Sequence, residues 1–286
     1  MKPREFYAFV SPSVIIMLLL MVFPLITAVW LGFNYITFRN LNAPEFIGLR
    51  NYIEVLGDTE FWGAMRFTLL YILVTIPIQL LLGLAVALLL DQVKLFRGVY
   101  IAGSLLPFIV TPVVGTLIFR NMFDRGGLIT YLLRQLFDYR FIMNGKSVRA
   151  LIMFHGVWHV THFALIVLFA GLQTLPKSSL EAAIVDGANW LQRLWHVIVP
   201  HLRTLIVFIV LINIMDSYRV FDSIFVLTQQ NPIFNADTIM YYNYRVALSF
   251  GRLGKANAMA VLTVIGIFVV LIPFLYITYR QQMEER

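Results

Sequence analysis

Long apolar stretches separated by short polar ones run along the whole chain. A helix needs about 20 predominantly apolar residues to cross a hydrocarbon core about 30 Å thick. Stretches of this length lie near residues 10–33, 64–90, 98–119, 149–172, 204–227 and 257–279. The pattern therefore predicts an all-α, polytopic membrane protein with about six transmembrane helices.

The composition supports a membrane protein. Of the 286 residues, 60% are hydrophobic and only 13% are charged, against about 25% charged in soluble domains. The net charge of +7 raises the possibility of a nucleic-acid partner, but the basic residues are scattered singly between apolar stretches, as in membrane-protein loops. We therefore expect contact with membrane lipid and no nucleic acid. The chain has no cysteine, so disulfides and thiolate metal sites are excluded.

The basic residues alone do not determine the orientation in the membrane. Six crossings place both termini on one side. Lys2 and Arg4 precede the first apolar stretch, which is too long for a cleaved signal peptide and is expected to be retained as a signal anchor. These two charges argue for cytoplasmic termini, whereas the opposite side carries more Lys and Arg overall.

Part of that opposing charge lies in residues 120–149, which contain an amphipathic pattern. One helical stripe there is formed by Leu128, Leu132, Leu133, Leu136 and Phe137. This pattern predicts a helix lying along the membrane surface. Because we find no internal repeat or linker, we expect residues 1–286 to form a single transmembrane domain.

A nucleotide-binding motif is incomplete. Residues 144–147 read NGKS, like the end of a phosphate-binding loop, but Arg140 stands where that motif requires another glycine. We expect no nucleotide hydrolysis by this chain.

The fourth apolar stretch carries His155, His159 and His162 at positions i, i+4 and i+7, on one face of a helix. Trp158 continues the same polar and aromatic face. Two histidines at i, i+4 have a metal-ligand spacing, but Gly156 replaces the Glu that a zinc protease requires. Hydrogen bonding between helices, the lining of a translocation pathway, and a metal or proton relay all remain open.

The fifth apolar stretch carries Asn213, Asp216, Arg219 and Asp222. Three charges in a transmembrane helix raise the free energy of membrane insertion by about 8–10 kcal/mol. The apolar residues of this stretch lower it by roughly the same amount. The charges must therefore face a helix bundle, a partner or water, and Arg219 is spaced to pair with either aspartate. This face either lines a pathway or stabilises the packing of helices.

A short acidic segment lies between these two stretches. Pro176 ends the fourth helix, and Ser178 with Glu181 has the spacing of a capping box. The segment is predicted to start a short helix at the membrane surface, with Gly187 allowing a sharp turn after it.

The longer stretch EAAIVDGANWLQRLWHVIVP resembles the EAA loop of ABC-transporter permeases. The residues at the matching positions are Glu181, Ala182, Ala183, Gly187 and Pro200, with Val197 and Val199 as conservative departures from Ile and Leu. Farther along, VFDSIFVLTQQNP resembles a segment of the larger maltose and glycerol-phosphate type of sugar permease. It matches at Phe221, Asp222, Ile224, Leu227, Thr228 and Pro232, while Gln230 and Asn231 replace two glycines. The resemblance covers most of the chain.

This resemblance implies a fold of the type I ABC importer kind with a cytoplasmic coupling helix. It implies that a coupling loop at about 174–203 docks on an ATPase subunit through Glu181, Ala182, Ala183, Asp186, Gly187 and Pro200. Glu181 and both termini would then be cytoplasmic, in a bacterial inner membrane. The expected substrate pathway includes His155, Trp158, His159, His162, Asn213, Asp216, Arg219 and Asp222.

The implied function is that of a permease subunit in an ATP-driven importer that receives a sugar or sugar derivative from a solute-binding protein. Its implied partners are a second, different permease and two ABC ATPases. No metal or cofactor is expected in this chain, because ATP and Mg²⁺ would bind the ATPases. The alternatives are an ion- or proton-coupled secondary transporter and an intramembrane metalloenzyme.

Overall fold

The computed structural model describes residues 3–284 and places most of them in helices, which confirms the all-α prediction. Lys2 lies outside the described residues. The helices are α1 (Pro3–Gly32), α2 (Arg50–Leu56), α3 (Thr59–Gln92), α4 (Arg97–Ile109), α5 (Pro112–Phe123), α6 (Leu128–Phe137), α7 (Gly145–Gln173), α8 (Lys177–Val185), α9 (Trp190–Arg193), α10 (Val199–Tyr218), α11 (Asp222–Thr228), α12 (Ile239–Tyr244) and α13 (Leu253–Glu284). Two-residue strands, β1 (Asn34–Tyr35) and β2 (Glu45–Phe46), pair antiparallel.

The described chain divides into two compact units. One contains the residues up to Gly63 and those from Tyr241 onward, and the other is Ala64–Met240. The prediction of a single transmembrane domain stays a prediction.

In the first unit, α13 packs against α1 and α2. The buried Asn51 connects α2 to the end of α1. Its Nδ2 donates hydrogen bonds to the carbonyl oxygens of Gly32 (3.0 Å) and Asn34 (2.9 Å). Gly254 in α13 approaches so closely that a Cβ there would lie 2.1 Å from the Asn34 oxygen. This unit is therefore held by polar contacts at one end of its long helices.

A charged cluster reinforces the same unit. The Arg252 guanidinium binds both carboxylate oxygens of Glu54, while Asp58 accepts hydrogen bonds of 2.7 Å from Lys255 and from the Tyr242 hydroxyl. The hydrogen bond from Arg252 holds the pKa of Glu54 below its ordinary value. Desolvation pushes the pKa of Asp58 upward, but the bonds from Lys255 and Tyr242 outweigh it, so this pKa is also lowered.

In the second unit, α3, α7 and α10 share an apolar core. Ala87, Ala164 and Leu168 belong to its buried cluster, with Leu202 and Ile209 from α10. At Gly83 the helices approach closely, since a Cβ there would lie 2.8 Å from that of Ala164. This packing fixes the helices that carry the predicted pathway residues.

The predicted crossing at 98–119 is broken. In the described chain five helices are long and apolar enough to cross a membrane, or six if α4 and the segment Pro112–Phe137 count as one bent span, with an angle of 89°. Pro112 begins α5, and because a proline disfavours helical backbone in the residue before it, Thr111 is extended. Five or six candidate spans in the described residues agree with the prediction of about six crossings, and one of them is sharply bent.

The fifth span is also displaced from its predicted window of 204–227. It covers Trp190–Tyr218, and Asp222 belongs to the separate short helix α11. Arg219 caps the end of α10, and the Thr238 hydroxyl donates to the Val220 carbonyl oxygen (2.7 Å) at the break. Placing Arg219 and Asp222 within one continuous helix was therefore wrong.

Candidate functional site

The histidine face of α7 packs against α4 and α5, with His155 and His162 buried and His159 half-buried. His155 Nε2 lies 3.3 Å from the Thr116 hydroxyl, and the Pro107 carbonyl accepts a hydrogen bond from His159 Nδ1 (3.0 Å). The rings of His155 and His159 stack nearly parallel, with centroids 5.8 Å apart. Each of these rings therefore has a protein partner on a neighbouring helix.

His162 and Trp158 complete this face in different ways. His162 is buried with its ring against Phe108, at 5.2 Å between centroids, and its Nε2 has no hydrogen-bond partner among the described residues. Trp158 packs against Phe119, at 5.1 Å between ring centroids. Within the described residues, no group of three His, Cys, Asp or Glu is arranged to hold a metal ion.

A relay of amide groups connects α10, α3 and α7. Asn213 and Gln79 are both buried, Asn213 Nδ2 donates to Gln79 Oε1 (3.0 Å), and Gln79 Nε2 donates to the Gly156 carbonyl oxygen (3.2 Å). Asn213 Oδ1 is left without a partner in the described part of the chain. A buried acceptor in this state costs about 1–3 kcal/mol.

Asp216 and Arg219 lie beyond this relay at the end of α10. Their charged groups are 3.8 Å apart, which confirms the predicted pairing, and both side chains are more than half exposed. An exposed pair of this kind contributes little to stability. Its charges remain available to other groups.

These elements surround a cavity of about 550 Å³ in the second unit. Six of the predicted pathway residues line it: His155, His159, Asn213, Asp216, Arg219 and Asp222. Trp158 and His162 are not among its lining residues. The structure thus brings together polar residues from α7, α10 and α11.

The cavity also has an apolar lining that was not predicted from the sequence. Tyr71, Phe108, Phe163 and Phe221 also face this cavity. The close approach of Tyr71 to Gly156, where a Cβ would lie 2.0 Å from the tyrosine oxygen, explains why a glycine interrupts the histidine face. Gly156 was the one feature in the sequence that could have indicated a close neighbour on this face. Single aromatic residues in an apolar stretch do not indicate whether they line a cavity.

The segment after α7 forms the predicted short helix, α8, but not the predicted capping box. The helix begins at Lys177 with Pro176 as its N-cap, and Ser178 makes no capping hydrogen bond because it already lies inside the first turn. The side chains of Glu181, Ala182 and Asp186 are exposed, and Ala183 is half-buried.

Gly187 ends α8 in a left-handed conformation, with φ of +77°. The Gly187 N–H donates to the Ile184 oxygen (3.0 Å), and the Ala188 N–H donates to the Ala183 oxygen (2.9 Å). These are the bonds of a Schellman motif, which favours glycine at this position. The chain then resumes in α9, passes through a π-helical turn at Leu194–Ile198, and enters α10, where Pro200 stands in the first turn.

Comparison with known proteins assigns the family. Residues 60–282 match the model of the family described as binding-protein-dependent transport system inner membrane component. The chain belongs to this family. A probable ABC transporter permease protein of Sinorhizobium fredii is 30% identical over 97% of this chain and 91% of its own length. The trehalose/maltose transport system permease protein MalF of Thermococcus litoralis is 29% identical over 94% of this chain and 90% of its own length.

The fold is shared with a solved transporter. The crystal structure of a bacterial ABC transporter involved in the import of the acidic polysaccharide alginate contains a chain that matches with a TM-score of 0.84. That match covers 96% of this chain and 95% of the other, at 21% identity. The resemblance to ABC importer permeases is confirmed. This permease is a multi-pass membrane component of a binding-protein-dependent transport system and is not itself an enzyme.

Proposed function

We propose that this permease carries a carbohydrate through the membrane as one subunit of an ATP-driven importer. The cavity that gathers six predicted polar residues supports this proposal more than any other single observation. The names of relatives point to the substrate class, since the proteins from Thermococcus litoralis and Mycobacterium tuberculosis are trehalose/maltose and trehalose permeases. Family membership does not favour the ion-coupled alternative.

The chemistry of the cavity suits a sugar. Its volume of about 550 Å³ falls within the usual range for small-molecule sites. Tyr71, Phe163 and Phe221 offer aromatic surface for the C–H groups of a sugar ring, while Asn213 and Asp222 offer acceptors for hydroxyl groups. Trp158 and His162 would act behind this lining, by packing, rather than by touching the substrate.

The segment around α8 is the proposed coupling site. Glu181, Ala182, Ala183, Asp186 and Gly187 lie on a short helix and its terminal turn, and Val185 beside them is 85% exposed. An exposed apolar side chain on a short helix suits burial in a partner's groove. ATP-driven closure of two ATPase subunits would then move α8, and through Pro200 and α10 the wall of the cavity, as a rigid body.

The resemblance to sugar permeases supports the remaining partners. We propose a second, different permease beside this chain and a solute-binding protein on the outer face of a bacterial inner membrane, with both termini in the cytoplasm. A solved neighbour is an alginate ABC transporter in complex with alginate pentasaccharide-bound periplasmic protein. ATP and Mg²⁺ would bind the ATPases, and no cofactor is assigned to this chain.

Uptake into vesicles that contain the permease and its co-purified subunits, with the solute-binding protein supplied at the outer face, tests the proposal. We expect ATP-dependent uptake of trehalose or maltose, the sugars named for two relatives, and we expect it to persist when ionophores collapse the ion gradients. Asp216→Asn is expected to reduce uptake, whereas the matched change Asp124→Asn, at an exposed carboxylate outside the cavity, leaves it unchanged. Uptake that needs an ion gradient and no ATP contradicts the proposal.

A second experiment addresses coupling. Glu181→Lys reverses an exposed charge and is expected to abolish uptake while the subunit remains inserted in the membrane. Lys177→Glu reverses a charge at the start of the same helix and serves as the control. Normal ATP-driven uptake by the Glu181 variant would remove the coupling role and leave the carbohydrate pathway in place.

A further inference from the structure

The apolar face of helix α6 has a half-buried part and an exposed part. Ile129 and Leu133 are half-buried, and α6 contacts α5. Leu128, Leu132 and Leu136, at i, i+4 and i+8, form the exposed part of the same face and are 60%, 39% and 70% exposed. We name these three leucines the outer stripe. Arg134 lies on the opposite, polar side of the helix.

Charged and aromatic residues flank the outer stripe. Arg125 precedes α6 and Arg140 follows it, and both are exposed. Tyr131 and Tyr139 are 59% and 57% exposed. Tyrosine at the headgroup level and arginine beside phosphate are typical of a membrane interface.

The neighbouring helices keep α6 near the membrane boundary. It is ten residues long, or about 15 Å, which is half of a hydrocarbon core of about 30 Å. It forms the last part of the bent segment Pro112–Phe137, after the interruption between Phe123 and Leu128, and it precedes α7, a span by itself. An apolar stripe that follows such an interruption and is too short to cross alone can be covered by lying in the interface.

We propose that α6 is an interfacial anchor whose outer stripe lies at the boundary of the acyl chains, with Arg125 and Arg140 binding lipid phosphate groups at its two ends. The exposed charges on and beside α6 are Arg125, Arg134 and Arg140 against Asp124 and Asp138, a net charge of +1 (three minus two), so anionic headgroups suit the two arginine ends best. The anchor would hold the α5–α7 connection at a fixed depth and so restrain the α5 side of the cavity. This inference concerns lipid and does not depend on which solute is carried.

The absence of native cysteine allows one position at a time to be spin-labelled in the full chain. Leu132→Cys reports on the outer stripe, Arg134→Cys on the polar side, and Leu73→Cys, on an exposed face of the α3 span, provides the lipid reference. Each labelled chain is reconstituted into vesicles of phosphatidylcholine alone or with phosphatidylglycerol. Collisions with oxygen and with a water-soluble nickel complex are then measured by electron paramagnetic resonance.

We expect the label at position 132 to collide with oxygen and not with nickel, like the Leu73 reference, and the label at position 134 to do the reverse. Phosphatidylglycerol should draw the label at position 132 deeper, and Arg125→Gln with Arg140→Gln should abolish that shift. A label at position 132 that meets nickel freely, or neither reagent, overturns the anchor, since it then faces water or a protein partner. A depth independent of phosphatidylglycerol overturns the role of the arginines.

Discussion

Asn213 donates a hydrogen bond from Nδ2 to Gln79 Oε1 across 3.0 Å, and this contact determines which way both amides face. The Gly156 carbonyl can only accept, so it takes the NH₂ group of Gln79. Gln79 must then turn its oxygen to Asn213, and Asn213 must turn its NH₂ group to Gln79. The remaining Asn213 oxygen is the acceptor left for another donor.

The first prediction concerns this relay. Gln79→Met keeps the side-chain volume but releases the Asn213 amide, so sugar KM should rise about tenfold, the equivalent of one lost hydrogen bond, with a smaller change in kcat. Thr75→Val is the control, because the buried Thr75 hydroxyl bonds only within α3, to the Tyr71 oxygen. The measurement is initial uptake rate against sugar concentration.

A double variant distinguishes orientation from packing. If Gln79 acts through Asn213, adding Gln79→Met to Asn213→Leu should raise KM no further. Additive effects on KM would mean that Gln79 serves only the packing of α3 against α7 and α10.

Gly156→Ala should destabilise the second unit. The new Cβ would lie 2.0 Å from the Tyr71 hydroxyl oxygen and 2.8 Å from Cζ, and overpacking of this kind costs about 1–3 kcal/mol. Adding Tyr71→Phe should recover part of the loss, because the oxygen is removed while the ring remains. Gly103→Ala, in α4 with no atom within 4 Å of its Cβ, is the control and should not lower the melting temperature in detergent. Equal losses at both glycines would contradict the steric explanation.

The fold could be predicted to the level of helices and crossings because long apolar stretches have a direct physical meaning in a bilayer. Hydropathy does not register a change of direction, so the apolar stretches alone show neither the 89° bend before Pro112 nor the end of α10 at Tyr218. The predicted capping box is absent because the helix starts earlier than its spacing implied. Ser178 and Glu181 have the right spacing, but Pro176 already supplies the start of the helix.

The polar lining of the cavity could be predicted from the sequence, but its aromatic lining could not. Residues such as His159 and Asp216 attract attention because a polar group in lipid is expensive, and the cavity gathers them. Phe163 and Tyr71 line the same space, yet in the sequence they are indistinguishable from residues that face lipid. Gln79 was missed because one amide in an apolar stretch gives no sign of its two partners on other helices.

Acid should weaken the charged cluster of the first unit. The pKa values of Glu54 and Asp58 are lowered in the folded chain, so the stability they contribute is present above their ordinary values of 4.5 and 3.8. It is lost as the pH falls through the lowered values. Asp58→Asn should lower the melting temperature at pH 7 more than Glu54→Gln, because Asp58 is the more buried carboxylate. Both differences from the unmodified chain should shrink below about pH 4.

The matched control for this cluster is Glu60→Gln. Glu60 is exposed in the first turn of α3, and its loss should leave the melting temperature nearly unchanged at both pH values. Variants of Glu54 and Asp58 whose deficit persists undiminished at pH 3 would show that shape, and not charge, holds this part of the unit.

Substitutions at Gly187 can distinguish the effect of backbone conformation from the effect of side-chain contact in the proposed coupling segment. No atom lies within 4 Å of a Cβ built there, and φ is +77°, so a substitution is opposed only by the left-handed backbone. Gly187→Ala should cost about 1–2 kcal/mol in that turn, whereas Gly187→Asn, which tolerates this conformation, should cost less. ATP-driven uptake and co-purification of the ATPase should therefore follow the order Gly, Asn, Ala. If Asn impairs both more than Ala does, the partner requires an empty surface at this turn, and the direction of the chain after α8 is not what transmits the movement.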